Sequence, residues 1–189
     1  MATKAIIFDC FGVLVIPGRD LLRQDYPEKI IEITDLAMRA DYGYISKFEY
    51  NQQAIEITGL SAEQFQDRYW NVKSRNVSAF EWMALLRAKK TYKIGLLSNI
   101  GVWRINEFVS LAEREQLFDA VVLSGEVGIA KPSVEIFELM AERIGFAPSE
   151  CVMIDDLVDN IEGAEMAGMK TILFQTTAQA QADLAEILI

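Results

Sequence analysis

The segment Ile6-Ile7-Phe8-Asp9-Cys10-Phe11-Gly12-Val13-Leu14 decides the fold of this chain. An apolar run of strand length ends in a carboxylate and breaks at a glycine, the pattern of a buried strand with an acidic side chain at its carboxyl end. Apolar runs of similar length occur at Ala5–Phe8, Ile94–Leu97, Ala120–Leu123, Val152–Ile154 and Thr171–Phe174. Between most of them lie stretches with helical spacing, such as Phe80, Met83, Ala84 and Leu86, or Ile136, Phe137, Met140 and Ile144. Strand alternating with helix predicts an α/β fold whose parallel sheet has right-handed crossovers. Near-continuous apolar strands predict helices on both faces of it. Ligands of such sheets sit outside the carboxyl ends of the strands, which puts Asp9 where chemistry is expected.

One interval breaks the alternation. Residues 16–78 hold no convincing strand but several helix signals: Ser46-x-x-Glu49 and Ser61-x-x-Gln64 have capping-box spacing, and Gly59 fits a helix stop between them. We read residues 17–76 as an inserted helical bundle, with residues 1–16 and 77–189 forming the core and with Pro17-Gly18 and Asn71–Ser78 as the hinges. Entering directly after the Asp9 loop, such an insertion can close over a substrate and exclude water. The plainer alternative makes it the first part of a larger core. The Ala/Gln-rich stretch from Thr177 to Ala185, with Leu184, Ile187 and Leu188 on one side, predicts a short terminal helix.

A net charge of −10 argues against a surface for nucleic acid or anionic lipid, since both would be repelled at long range. No apolar run approaches the ~20 residues of a membrane span, and the chain enters its first strand without a signal-peptide segment, so a cytoplasmic protein is expected. Cys10 and Cys151, the two cysteines, both fall on or beside predicted core strands, which suits a reducing compartment better than a disulfide. With no histidine in the chain, a His-based triad and a His-ligated metal are excluded. Oligomeric state cannot be read from this pattern.

Three later signals lie at predicted strand ends or loops: Ser98-Asn99, Lys131-Pro132, and Asp155-Asp156 followed by Asp159-Asn160. Taken in order, Asp-x-x-Gly-Val-Leu, Leu-Ser-Asn, Lys-Pro and Ile-Asp-Asp-x-x-Asp-Asn-Ile-Glu-Gly-Ala resemble the four motifs of the haloacid-dehalogenase superfamily, mostly Mg2+-dependent phosphatases that pass through an aspartyl-phosphate. The resemblance covers residues 4–15 and about 91–175. It implies a doubly wound, Rossmann-like parallel sheet with a helical cap, and a small phosphorylated substrate.

The resemblance implies that Asp9 is the nucleophile and that Lys131 offsets charge on Asp9 and the transferring phosphoryl group. Ser98 and Asn99 would hold that group, alongside the amides near Phe11, Gly12 and Val13. Ser98-Asn99 also reads as a helix N-cap before Val102 to Phe108, with Arg104 as an exposed helix residue. Mg2+ favours carboxylate oxygens, so Asp9, the Phe11 carbonyl and Asp156 would be its protein ligands, with Asp155 a ligand or close neighbour. Unscreened, converging Asp9, Asp155 and Asp156 would raise one another's pKa values, itself an argument for a cation.

Phe11 departs from the phosphatase pattern, in which this position is a second Asp that protonates the leaving group. Its loss removes a contribution of about 10²–10⁴-fold. Two alternatives follow. Phe11 suits a 2-haloacid dehalogenase, with Arg39 gripping a carboxylate or halide, although Asp155-Asp156 gives a metal-free displacement nothing. A non-catalytic relative that binds phosphate ligands is the other. Among the insertion residues, Tyr42, Tyr44, Arg68, Trp70 and Arg75 could face the pocket, pack, or lie in solvent, with packing expected for Trp70 and the tyrosines.

Overall fold

The computed structural model describes residues 2–16, 18–70 and 74–188. Along the chain run β1 (Ala5–Phe8), β2 (Val15–Ile16), α1 (Gly18–Asp25), α2 (Ile30–Asp41), α3 (Lys47–Thr58), α4 (Ala62–Phe65), β3 (Ser74–Arg75), α5 (Val77–Ala88) and β4 (Lys93–Ser98). Then follow α6 (Val102–Ile105), α7 (Leu111–Leu117), β5 (Ala120–Leu123), α8 (Ser124–Val127), α9 (Val134–Ile144), β6 (Cys151–Asp155), α10 (Val158–Met166), β7 (Lys170–Leu173) and α11 (Thr177–Ile187).

Five strands form one parallel sheet in the order β5-β4-β1-β6-β7, so the strand carrying the decisive segment is central. Its side chains alternate between two cores. Ile6 and Phe8 join Trp82 and Met83 of α5 and Leu184 of α11, whereas Ala5 and Ile7 join Ile136, Phe137 and Met140 of α9. A strand buried on both faces must be apolar at every position, which is why it reads as a run rather than an alternation. Each large side chain so buried contributes roughly 1.5–3 kcal/mol. Cys10 and Cys151 are buried and unpaired with each other. No helix among the described residues is long and apolar enough to cross a membrane.

Helices α1 to α4 gather around their own apolar cluster, with Leu22, Ile33, Leu36, Tyr50, Phe65 and Trp70 among its members. Both expected capping boxes form, Ser46 with Glu49 and Ser61 with Gln64, and Gly59 ends α3 in the left-handed region at φ 69°. The chain leaves for these helices along β2 and returns along β3, which pair antiparallel as Val15 with Arg75 and Ile16 with Ser74. The expectation that residues 16–78 hold no strand is therefore corrected: β3 lies there, and a two-residue strand is too short to show any alternation. Of the expected hinges, Pro17 and residues 71–73 lie outside the described residues. The terminal helix forms as α11, capped by Thr176 with Gln179.

Candidate functional site

Strands β4, β1 and β6 are neighbours, so their carboxyl ends deliver Ser98, Asp9 and Asp155 side by side. The Asp9 amide still donates to Ile154 O at 2.9 Å, which ties the residue to the sheet one position beyond β1. Asp9 Oδ1 accepts from the Cys10 amide at 2.7 Å and lies 2.9 Å from Lys131 Nζ. Lys131 also donates to Asp155 Oδ2 at 2.5 Å, and Asp155 Oδ1 accepts from the Leu157 amide (3.0 Å) and from Asn160 Nδ2 (2.9 Å). Asp9, Lys131 and Asp155 are all buried. Burial pushes the Asp9 carboxyl up to about 7, with Asp155 and Asp156 adding to the rise and Lys131 opposing it. Burial alone would depress Lys131, but the adjacent Asp155 and Asp9 carboxylates outweigh it and hold the ammonium above its usual value.

Asn99 has a task that its sequence position does not reveal. Its Nδ2 donates to Lys131 O and its Oδ1 accepts from Lys131 N, both at 2.9 Å, so the amide clasps the backbone of the lysine. It positions the Lys131 loop, and it also lines the cavity where a phosphoryl group is expected. The N-cap reading of Ser98-Asn99 is overturned: Ser98 closes β4, and α6 begins after Gly101, which makes no side-chain cap. Ser98 Oγ is fully buried, lines the cavity and has no hydrogen-bond partner among the described residues. An unsatisfied buried hydroxyl costs about 1–3 kcal/mol, a cost that a bound ligand would relieve. The Gly12 amide donates to Val15 O at 2.8 Å, which removes it from the expected anion cradle. Gly12 serves instead by having no side chain: φ is 86°, and a Cβ would collide with the Asp156 carboxylate.

Phe11 is buried, its ring meeting Phe108 edge-on at 5.1 Å and the Arg104 guanidinium at 5.3 Å. Arg104, expected on an exposed face, is 3% exposed. It bonds Asp41 Oδ1 at 3.3 Å, and Tyr50 and Trp70 also surround it. Arg39 pairs with Asp35 and Gln53 and is not among the residues lining the cavity. Trp70 packs as expected, whereas of the two tyrosines also expected to pack, Tyr42 lines the cavity and Tyr44 is exposed.

The cavity above the strand ends measures about 490 Å³. Its floor includes Asp9, Phe11, Gly12, Ser98, Asn99, Lys131 and Asp156, and α1 and α2 supply Arg23, Thr34, Ala37, Met38 and Asp41. Sequence reading missed Arg23, Thr34 and Asp41 as lining residues. Asp41 alone had a signal: an acid in the last turn of a helix faces the negative end of its dipole and calls for compensation.

Asp9, Asp155 and Asp156 each bring a carboxylate oxygen within 4.8 Å of the others. The donors are hard oxygens with neither imidazole nor thiolate among them, which fits Mg2+ better than zinc or copper. The Gly12 clash points the same way, since the Asp156 carboxylate can occupy its place only where residue 12 has no side chain.

The family profile for haloacid dehalogenase-like hydrolases matches residues 3–168. D-ribitol-5-phosphate phosphatase of Bacteroides thetaiotaomicron is 28% identical over 211 aligned positions that cover 98% of each chain. Phosphatase MT3486 of Mycobacterium tuberculosis is 30% identical over 94 residues, 49% of this chain and 43% of its own length. Among solved structures, an enzyme of the same superfamily from Bacteroides thetaiotaomicron, in complex with magnesium and inorganic phosphate, superposes with a TM-score of 0.70 at 23% identity, covering 92% of this chain and 95% of its own.

Proposed function

Because the chain belongs to the haloacid dehalogenase-like hydrolases, we propose that it is a Mg2+-dependent phosphatase acting on a small sugar or polyol phosphate through an aspartyl-phosphate on Asp9. The observation that carries this reading is the convergence of Asp9, Asp155 and Asp156 within 4.8 Å beside a buried lysine. A displacement at carbon has no use for three crowded carboxylates, whereas phosphoryl transfer through an aspartyl-phosphate uses both a cation and a carboxylate nucleophile. The near-full-length likeness to a ribitol-phosphate phosphatase supports the substrate class. Residues 17–76 act as the cap: their helices have a separate apolar cluster and form one wall of the cavity.

Asp9 Oδ1 is held by the Cys10 amide and Lys131, which leaves Oδ2 to attack phosphorus as the bond to the leaving oxygen breaks. Lys131 and the buried Ser98 hydroxyl stabilise the phosphoryl oxygens, Asn99 fixes the lysine loop, and Asn160 orients Asp155. Asp9, Asp156 and the Phe11 carbonyl would hold Mg2+, with Asp155 a ligand or close neighbour, and the ion would supply charge neutralisation for the nucleophile and the phosphoryl group. Water then hydrolyses the aspartyl-phosphate, releasing inorganic phosphate and restoring Asp9. Phe11 can supply no proton, so good leaving groups react fastest. Two buried cysteines that form no disulfide support a reducing, cytoplasmic setting.

The test is phosphate release from sugar phosphates, polyol phosphates and an activated aryl phosphate, with Mg2+ and with chelator, for the wild type and Asp9→Asn. Turnover that requires both Mg2+ and Asp9 supports the mechanism. Turnover that survives chelation or the substitution refutes it.

A further inference from the structure

The cap wall of the cavity holds a buried charge pair that the reaction above does not use. Asp41 lines the cavity from the C-terminal end of α2, and Arg104 reaches it from α6 of the core. The two side chains are 10% and 3% exposed. Burial penalises both charges, and the helix dipole adds to the penalty on Asp41. A fold that keeps an acid in this position must fix it firmly, and this one does. The Arg104 guanidinium lies 5.3–5.8 Å from the ring centres of Phe11, Tyr50 and Trp70, a box that suits a weakly hydrated cation. Ser124 Oγ donates to the Asp41 carbonyl at 2.6 Å, and a Cβ on Gly101 would come within 2.7 Å of Ala40 O, so the end of α2 rests directly on the core.

We infer that Asp41 is a specificity-determining residue, a pre-set carboxylate that accepts hydrogen bonds from hydroxyl groups on the leaving part of the substrate. The inference rests on the phosphatase reading and sharpens it. A carboxylate only accepts, so it matches the O–H donors of a polyol and offers no donor to a second carboxylate or phosphate. Asp159, also in the lining, likewise offers acceptors only. Lys131 is engaged by Asp9 and Asp155, so it does not neutralise Asp41. The substrate class is therefore a phosphate monoester of a neutral polyol or sugar. Arg104 is the positioning residue: it holds Asp41 at the wall and reaches the substrate only through it.

The experiment compares kcat and KM for a polyol phosphate, a phosphorylated sugar acid of the same length, a bisphosphate and p-nitrophenyl phosphate, with Mg2+ present. The wild type should prefer the polyol phosphate over the acid and the bisphosphate by about tenfold or more in kcat/KM. Asp41→Asn should shrink the preference for polyol over aryl phosphate by about tenfold, chiefly through KM. Arg104→Lys should keep most of that preference and Arg104→Gln should lose it. A wild type that favours the sugar acid or bisphosphate assigns recognition to Arg23 and overturns the inference, and this comparison needs no variant to fold. An unchanged preference in Asp41→Asn also overturns it, with the phosphatase reading left standing. No turnover of any ester, p-nitrophenyl phosphate included, brings down both.

Discussion

Replacing Asp9 by Asn should make the metal-free protein more stable at pH 8 while abolishing turnover. The cause is the crowding around the carboxyl, which is held at about 7 in the folded protein against 3.8 for an unperturbed Asp. Below pH 3.8 the group is protonated in both states and contributes nothing to the difference. Between 3.8 and 7 the unfolded chain releases its proton first, so it binds fewer protons than the folded one and stability falls as pH rises. Above 7 the cost levels off at about 4 kcal/mol, from 1.36 kcal/mol for each unit of pKa. Asn cannot ionise, and the attraction to Lys131 is already counted in that cost, so a net gain of about 4 kcal/mol is expected, or roughly 8–16 °C for a chain of this size. Thermal unfolding in chelator should show Asp9→Asn above the wild type at pH 8 and level with it near pH 4. Saturating Mg2+ should close the gap at pH 8, since it stabilises the form that keeps all three carboxylates. A variant less stable than the wild type at pH 8 in chelator would refute the crowding argument, as would a gap that does not change with pH.

Three further outcomes test other parts of the structure. Arg104→Met takes the Arg104 cation away from the buried Asp41 carboxylate and should cost about 3–5 kcal/mol in urea unfolding; a loss under 1 kcal/mol would mean that the pair is solvated. Gly12→Ala combines strain at a φ of 86° with a Cβ directed at Asp156, so calorimetry should find Mg2+ binding weakened by at least about tenfold, and unchanged affinity would contradict the placement of Asp156. Glu113 lies 2.7 Å from Arg75 and is held down to about 2, first by its hydrogen bond with Arg75 and then by Ser110. The side chains are 36% and 42% exposed, so the pair is screened and Glu113→Gln should cost less than about 1 kcal/mol at pH 7. Because the folded value lies below the unfolded one, that contribution is present above pH 4.5 and fades as pH falls toward 2; a cost that persists at pH 2 would show that charge is not its source.

The sheet was legible because a strand buried on both faces cannot hide: Ala5–Phe8 and Val152–Ile154 are apolar at every position, and the sheet buries every one of them. Capping boxes were equally plain, since Ser46 with Glu49 and Ser61 with Gln64 are local patterns that need no tertiary context. The acidic and basic groups at the strand ends could be picked out, but not how they divide the work. The hold of Asn99 on the Lys131 backbone is hidden in the sequence because the two are 32 residues apart and backbone groups leave no trace there. Arg104 read as a solvent residue for a related reason. Its surroundings come from Phe11, Asp41, Tyr50 and Trp70, four separate parts of the chain that only folding brings together.

The ribbon formed by β2 and β3 has a consequence for how this architecture changes over time. It consists of two residue pairs, so the excursion through the cap leaves and rejoins the core at one point. For the polymer, everything between those pairs is a closed loop, and the entropy of closing a loop grows only with the logarithm of its length. Helices can be lengthened, traded or rebuilt there at little thermodynamic cost to the sheet that anchors the nucleophile. On the phosphatase reading, a lineage can thus explore new leaving groups in the inserted stretch while Asp9 and its neighbours stay where they are, provided that the end of α2 keeps its seat on Arg104 and Ser124.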